Sequence, residues 1–234
     1  MSGIELVVLD VDGTLYDQRP LRRRMALELL TAVATGRERV ATLQVLRTFR
    51  RHRERLANEG ARDVTRRQYD DVAASIGTDV DEVKRAVQVW MHERPLDALR
   101  ACRAAGIDAW LRDLRARGVV TAVLSDHLIG AKLAALDIEV DLVASAEDAA
   151  IDRLKPDPTG LRHLMAAASR PPSTTLVVGD RPERDGAIAE RTGARFLRKV
   201  WRRPRDGGEV FDFGTLVGTI GAPAVDGRVS GGDA

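Results

Sequence analysis

At 234 residues the chain can bury a substantial core, either as one large domain or as a core with a smaller insertion. Hydrophobic residues at 44% and charged residues at 31% describe a soluble globular protein with no membrane-length apolar run and no basic-then-apolar leader, and Cys102, the only cysteine, excludes disulfide frameworks and thiolate metal cages. Net charge is +2 and aromatics reach only 4%, unlike the interleaved basic and aromatic surface of a nucleic-acid binder.

The first element is the apolar run 4–9, short and suited to a buried strand. Asp10-Val11-Asp12-Gly13-Thr14 follows directly, so two carboxylates stand at a strand end beside a glycine that lets the chain turn away. Crowded acids repel each other unless a proton or cation intervenes. The plainer alternative is an Asp/Gly turn in which Asp caps backbone amides. Residues 21 to about 94 read as successive helices over 21–34, 40–57, 65–75 and 79–92, the last opened by an acidic first turn. From Pro95 onward, helices over 109–117, 129–136, 159–168 and 185–192 alternate with strands over 119–124, 140–145, 175–178 and 194–200, the last strand closing the core. Such alternation implies right-handed crossovers and a parallel sheet, an α/β core with a helical insertion after its first strand.

Further polar residues fall at the ends of the later strands. They are Ser125, then Lys155 in Leu154-Lys155-Pro156, then Asp180 and Asp185 after Val178-Gly179. Each has a bland reading, as a strand-end serine, a loop or a turn. Their joint order after Asp10-x-Asp12 favours a catalytic one. In order, spacing and context the chain resembles the haloacid dehalogenase superfamily of hydrolases, in particular its phosphatases with a helical cap, across about residues 4–200.

The resemblance implies a Rossmann-like parallel sheet core flanked by helices, over 1–15 and 96–221, with an inserted all-helical cap domain over 16–95; a disordered tail is expected over 222–234. It implies that Asp10 attacks phosphorus to give an aspartyl-phosphate, and that Asp12 protonates the leaving oxygen and later activates water. Mg²⁺ would be held by Asp10, the backbone carbonyl of Asp12 and Asp180, with Asp185 orienting a metal-bound water or Lys155. An oxygen-rich site suits Mg²⁺ on independent grounds. Gly13, Thr14, Ser125, Asp126 and Lys155 are the expected phosphoryl-binding residues, Lys155 countering the charge that builds on the phosphoryl oxygens. Asp126 is a departure, since many relatives carry Asn there, and an inward-pointing acid would repel phosphate.

His127 is a secondary candidate for substrate contact. His163 is read as structural, His52 and the arginine-rich stretch 47–55 as solvated helix surface, and Trp90 and Trp110 as packing around the cap-to-core junction. Arg22, Arg23 and Arg24 lie closer in sequence to the hinge after the first motif, where one of them could touch the leaving group. The 33 arginines against 4 lysines read as coding bias, and residues 16–95, with 17 Lys/Arg against 12 Asp/Glu, suit an anionic substrate. The expected protein is a cytoplasmic Mg²⁺-dependent phosphatase, monomer or homodimer, acting on a small phosphorylated metabolite (sugar phosphate, nucleotide-like or related phosphomonoester), with no nucleic-acid or membrane partner. The alternatives are a phosphomutase of the same superfamily and, from a different class, a catalytically silent binding or regulatory protein on this fold.

Overall fold

β1 (Leu6–Leu9) consists of four consecutive buried aliphatic residues, because both faces of its sheet are covered and neither calls for a polar side chain. The computed structural model describes residues 3–202 and 204–220, so the tail expected over 222–234 lies outside the described residues. The remaining strands are β2 (Val120–Ser125), β3 (Leu142–Ser145), β4 (Thr175–Gly179), β5 (Arg195–Lys199) and β6 (Glu209–Val210). Every pairing is parallel, in the order β3-β2-β1-β4-β5-β6. The α/β expectation holds, with one correction. The strand expected to close the core is followed by β6, whose two residues are too few to show a periodicity.

Between β1 and the rest of the sheet lie α1 (Gln18–Ala34), α2 (Val40–Asn58), α3 (Val64–Ile76) and α4 (Val80–Val87). Asp17 caps α1 by accepting from the backbone N–H of Arg19, which starts the helix earlier than its apolar pattern suggests. Leu29, Phe49, Val72, Val83 and Trp90 give these helices their own apolar core. The helix expected over 79–92 departs from α geometry after Val87, and Gln88–Glu93 form a π-helical turn. Such turns re-aim side chains and are frequent at functional sites. Leu56, Ala57, Ala61 and Val64 pack on Ala146 and Leu154, joining α2 and α3 to the sheet domain.

After the single turn α5 (Leu96–Leu99) come α6 (Ile107–Ala116), α7 (Gly130–Leu136), α8 (Thr159–Ala168) and α9 (Ala187–Thr192). Alternate residues of β1 serve opposite layers. Val7 and Leu9 pack with Trp110, Leu114, Leu133 and Phe213, while Leu6 and Val8 pack with Leu161, Leu164 and Ile188. Trp110 stacks on Phe213 with ring centroids 5.1 Å apart, so it belongs to the layer beneath the sheet and not to the cap-to-core junction expected for it. Among the described residues no helix is long and apolar enough to cross a membrane.

Candidate active site

The register of β1 sets the site. Leu9 lies opposite Val123 of β2 and Val178 of β4, so Asp10, Ser125 and Asp180 all emerge at the carboxyl edge of the sheet. β1 is also where strand order reverses, the position at which open α/β sheets form a ligand crevice. Asp10 is held there by its backbone N–H, which donates to Val178 O at 2.9 Å. Gly13 adopts φ +106°, and a Cβ on it would lie 2.3 Å from Asp180 Oδ2. Only glycine lets the turn pass so close to that carboxylate.

One ammonium serves two buried carboxylates. Lys155 Nζ lies 2.5 Å from Asp10 Oδ1 and 2.6 Å from Asp185 Oδ1, while Asp10 Oδ2 accepts from Thr14 Oγ1 at 3.0 Å. Burial pushes Asp10 up to about 7, Lys155 opposing and Asp185 adding to the rise. Asp180 is likewise pushed up to about 7, by burial first and then by the charge of Asp10. Burial opposes the charge on Lys155, but Asp10, Asp185 and Asp126 hold its pKa well above the ordinary value. Negative charge is therefore in excess here.

Carboxylate oxygens of Asp10, Asp180 and Asp185 lie within 4.8 Å of one another. Asp180 Oδ1 is buried without a hydrogen-bond partner. Hard oxygen donors, surplus negative charge and an orphaned acceptor together fit a divalent cation of the Mg²⁺ type.

Asp12 faces the other way. Lys132 Nζ, from α7, lies 2.6 and 2.9 Å from its two carboxylate oxygens, and the Tyr16 hydroxyl donates to Oδ1. Burial alone would raise its pKa, but Lys132 and the hydrogen bonds hold this carboxyl well below the usual range. Asp12 is thus an ionised acceptor, separated in role from the three-acid cluster.

The other expected residues are distributed unequally. Gly13, Asp126 and Lys155 line a cleft of about 740 Å³ between the inserted helices and the sheet edge, together with Asp10, Asp12 and Asp180. Thr14 and Ser125 are buried behind its wall, and Ser125 Oγ accepts from the backbone N–H of His127 at 3.0 Å. Asp126 Oδ1 accepts from the Lys155 backbone N–H at 2.9 Å, so its charge is spent on holding the Lys155 loop. The His127 ring lines the cleft, and burial, then Arg53, keeps its pKa well below the ordinary value. His163 is exposed on α8, which corrects its structural reading. His52 is buried, with Nε2 3.2 Å from Asp71, and Arg53 is buried and donates to the Asp126 carbonyl, so two residues of the stretch 47–55 are not solvated surface. The reason is that α2 packs both on α3 and on the sheet edge, leaving it less free surface than a lone amphipathic helix.

Three contributors escaped the sequence patterns. Arg184 donates to the Lys155 carbonyl at 2.7 Å and to Glu54 and Asn58 of α2 at 2.6 and 2.9 Å, tying the inserted helices to the Lys155 loop. Lys199 is buried with Nζ 3.6 Å from the Trp201 ring centroid, and burial pushes it down to about 8. Lys132 is the third. A signal for two of them was present in the composition. Of only 4 lysines in an arginine-rich chain, Lys132, Lys155 and Lys199 are buried around the site. A compact ammonium fits where a planar guanidinium does not, so a lysine kept in such a background marks a confined position.

The sequence profile of the haloacid dehalogenase-like hydrolases matches residues 4–193. No curated protein sequence matches the chain. Among solved structures, a 2-haloacid dehalogenase from Pseudomonas syringae pv. Tomato DC3000 is similar at a TM-score of 0.61 and 22% identity, over 91% of this chain and 96% of that one. A predicted phosphoglycolate phosphatase from Haemophilus somnus 129pt gives 0.58 and 20%, over 91% and 96%. The Bacillus subtilis protein YfnB, solved bound to magnesium, gives 0.60 and 14%, over 92% and 97%. At these identities the structural likeness establishes the fold, and the profile establishes the family. The chain belongs to the haloacid dehalogenase-like hydrolases.

Proposed function

We propose that the protein is a Mg²⁺-dependent phosphatase of a small phosphorylated metabolite, working through an aspartyl-phosphate on Asp10. The observation that carries this reading is the cluster of Asp10, Asp180 and Asp185 with its orphaned Asp180 Oδ1, set beside a single lysine. Asp10, Asp180, Asp185 and the backbone carbonyl of Asp12 would hold the cation. When bound, it would draw charge from the phosphoryl oxygens.

In this reading a carboxylate oxygen of Asp10 attacks phosphorus and the bond to the leaving oxygen breaks. Lys155 balances the charge on Asp10 and the phosphoryl group, and Thr14 holds the second Asp10 oxygen in place. Asp12, kept ionised by Lys132 and Tyr16, is prepared to take the proton from the water that later attacks phosphorus. To donate to the leaving oxygen it must first be protonated, which the negative charge of an arriving phosphoryl group favours. Arg53, Glu54 and Asn58 tie the inserted helices to the sheet edge beside the cleft, which supports a small substrate over a macromolecular one.

Dehalogenation would use Asp10 to attack carbon and expel halide, a leaving group that needs neither a proton nor a cation. Hydrolysis of the ester left on Asp10 would still call on a carboxylate to activate water, but a cation held by the Asp10, Asp180 and Asp185 cluster would then be without a task. A panel of phosphomonoesters assayed for inorganic phosphate with Mg²⁺ tests the proposal. Stoichiometric release supports it; isomerised sugar phosphate without release points to a mutase. Absence of hydrolysis across the panel, or retained activity in Asp10→Asn, overturns it.

A further inference from the structure

A second, smaller cavity of about 120 Å³ adjoins the main cleft, and Asp12 lies in the wall of both. Its apolar lining is Leu21, Met25, Trp90 and Met91, contributed by α1 and the π-helical turn. Tyr16, His92, His127 and Lys132 line it as well, and so do Arg22 of α1 and Arg50 of α2, which also line the main cleft.

Arg22 and Arg50 are the unpaired arginines, among the described residues, that line both spaces. Arg19 is paired with Asp17, Arg53 with Glu147 and the Asp126 carbonyl, Arg181 and Arg184 with Glu54. Among the described residues Arg22 and Arg50 have no ion pair and no hydrogen bond, although each carries several donors. Arg202 is also unpaired but lines the main cleft alone. The Arg50 guanidinium is held below its ordinary pKa by lost hydration and then by the like charge of Arg22. Both side chains are exposed, so an anion can reach them without displacing a protein partner, and two like charges lining one cavity attract it.

We infer that Arg22 and Arg50 form a subsite for a second anionic group on the substrate, carried by the leaving alcohol. This inference rests on the phosphatase reading only for its orientation: with the phosphoryl group at Asp10 and the leaving oxygen at Asp12, the rest of the leaving group extends into the smaller cavity. Its few carbons lie against Leu21, Met25 and Met91, and its carboxylate or second phosphoryl group meets the two guanidinium groups. The substrate class is a short phosphomonoester with two charged ends, not a neutral sugar or alcohol phosphate.

The test uses phosphonates, which bind without being hydrolysed. Propylphosphonate, 3-phosphonopropionate and propane-1,3-bisphosphonate are titrated calorimetrically into the full chain with Mg²⁺. The two compounds with charged tails are expected to bind about tenfold or more tightly than propylphosphonate, and the stronger of them identifies carboxylate or phosphoryl as the natural group. Arg22→Gln and Arg50→Gln should each shrink that margin to about threefold or less, whereas Arg47→Gln, on the same helix as Arg50 but outside both cavities, should keep it. Equal binding of the three compounds, no binding of any, or an equal loss in Arg47→Gln overturns the subsite. Hydrolysis of p-nitrophenyl phosphate is followed in parallel. Hydrolysis without tail selectivity removes the subsite and leaves the phosphatase; tail-selective binding without any hydrolysis does the reverse.

Discussion

Asp180→Asn should make the metal-free protein more stable at alkaline pH, because it removes a charge whose buried Oδ1 has no partner. Asp180 is shifted from 3.8 to about 7 in the fold, by burial and by Asp10. A carboxyl raised in this way contributes nothing below pH 3.8, where both states hold the proton. Between about pH 4 and 7 the unfolded chain releases its proton and the folded one does not, so stability falls as pH rises and the full cost stands above 7. A rise from 3.8 to about 7 corresponds to ~4 kcal/mol. Because part of this rise is set by the neighbouring charge of Asp10, removing Asp180 alone should recover roughly 2 kcal/mol, or roughly 4–8 °C in Tm for a chain of this size. Thermal denaturation at pH 5 and pH 8, in EDTA and in Mg²⁺, reads this out. In EDTA the variant should melt above the wild type at pH 8, with a smaller gap at pH 5. Mg²⁺ should raise the wild-type Tm more at pH 8 and raise the variant far less. A variant less stable than wild type at pH 8 in EDTA, or one stabilised equally by Mg²⁺, would refute the account of the cluster.

Lys132→Met should return Asp12 toward the ordinary carboxylate range, since its depressed pKa depends on that ammonium. The acid limb of the kcat/KM profile then moves up toward about pH 4, with a loss of about 10-fold near pH 3 that fades by about pH 6; a uniform loss at all pH with the limb unmoved would contradict the assignment. Gly13→Ala places a methyl at φ +106° and 2.3 Å from Asp180 Oδ2, and should lower stability by about 2 kcal/mol or more while weakening Mg²⁺ binding, measured by titration with the metal. Trp110→Ala empties the fully buried stack on Phe213 and should cost ~3–5 kcal/mol in urea unfolding; a loss below 1 kcal/mol would mean that this layer collapses to fill the space.

Legibility in the sequence followed the range of the interactions involved. β1 and β4 were readable because a strand buried on both faces is continuously apolar and ends abruptly in an acid. The Asp10, Lys155, Asp180 and Asp185 convergence was readable as a joint motif order, since each follows its own strand or loop. What one-dimensional patterns could not supply was the direction of each side chain. Asp10 and Asp12 are two residues apart, yet one joins the acid cluster and the other turns to Lys132, which is 120 residues away. His52 and Arg53 look like solvated helix surface until α3 and the sheet edge are packed against α2. The π-helical turn at Gln88–Glu93 left no trace in the periodicity, and Met91 and His92 within it line the smaller cavity.

The central claim is that Asp10 takes the phosphoryl group. A radiolabelled phosphomonoester that the protein hydrolyses, quenched in acid during turnover with Mg²⁺ and mapped by peptide, tests it directly. The account predicts label on the peptide bearing Asp10, released on longer incubation as inorganic phosphate, and neither label nor release in a folded Asp10→Asn variant. Turnover with no labelled protein, label on another residue, or phosphate release by Asp10→Asn would contradict it.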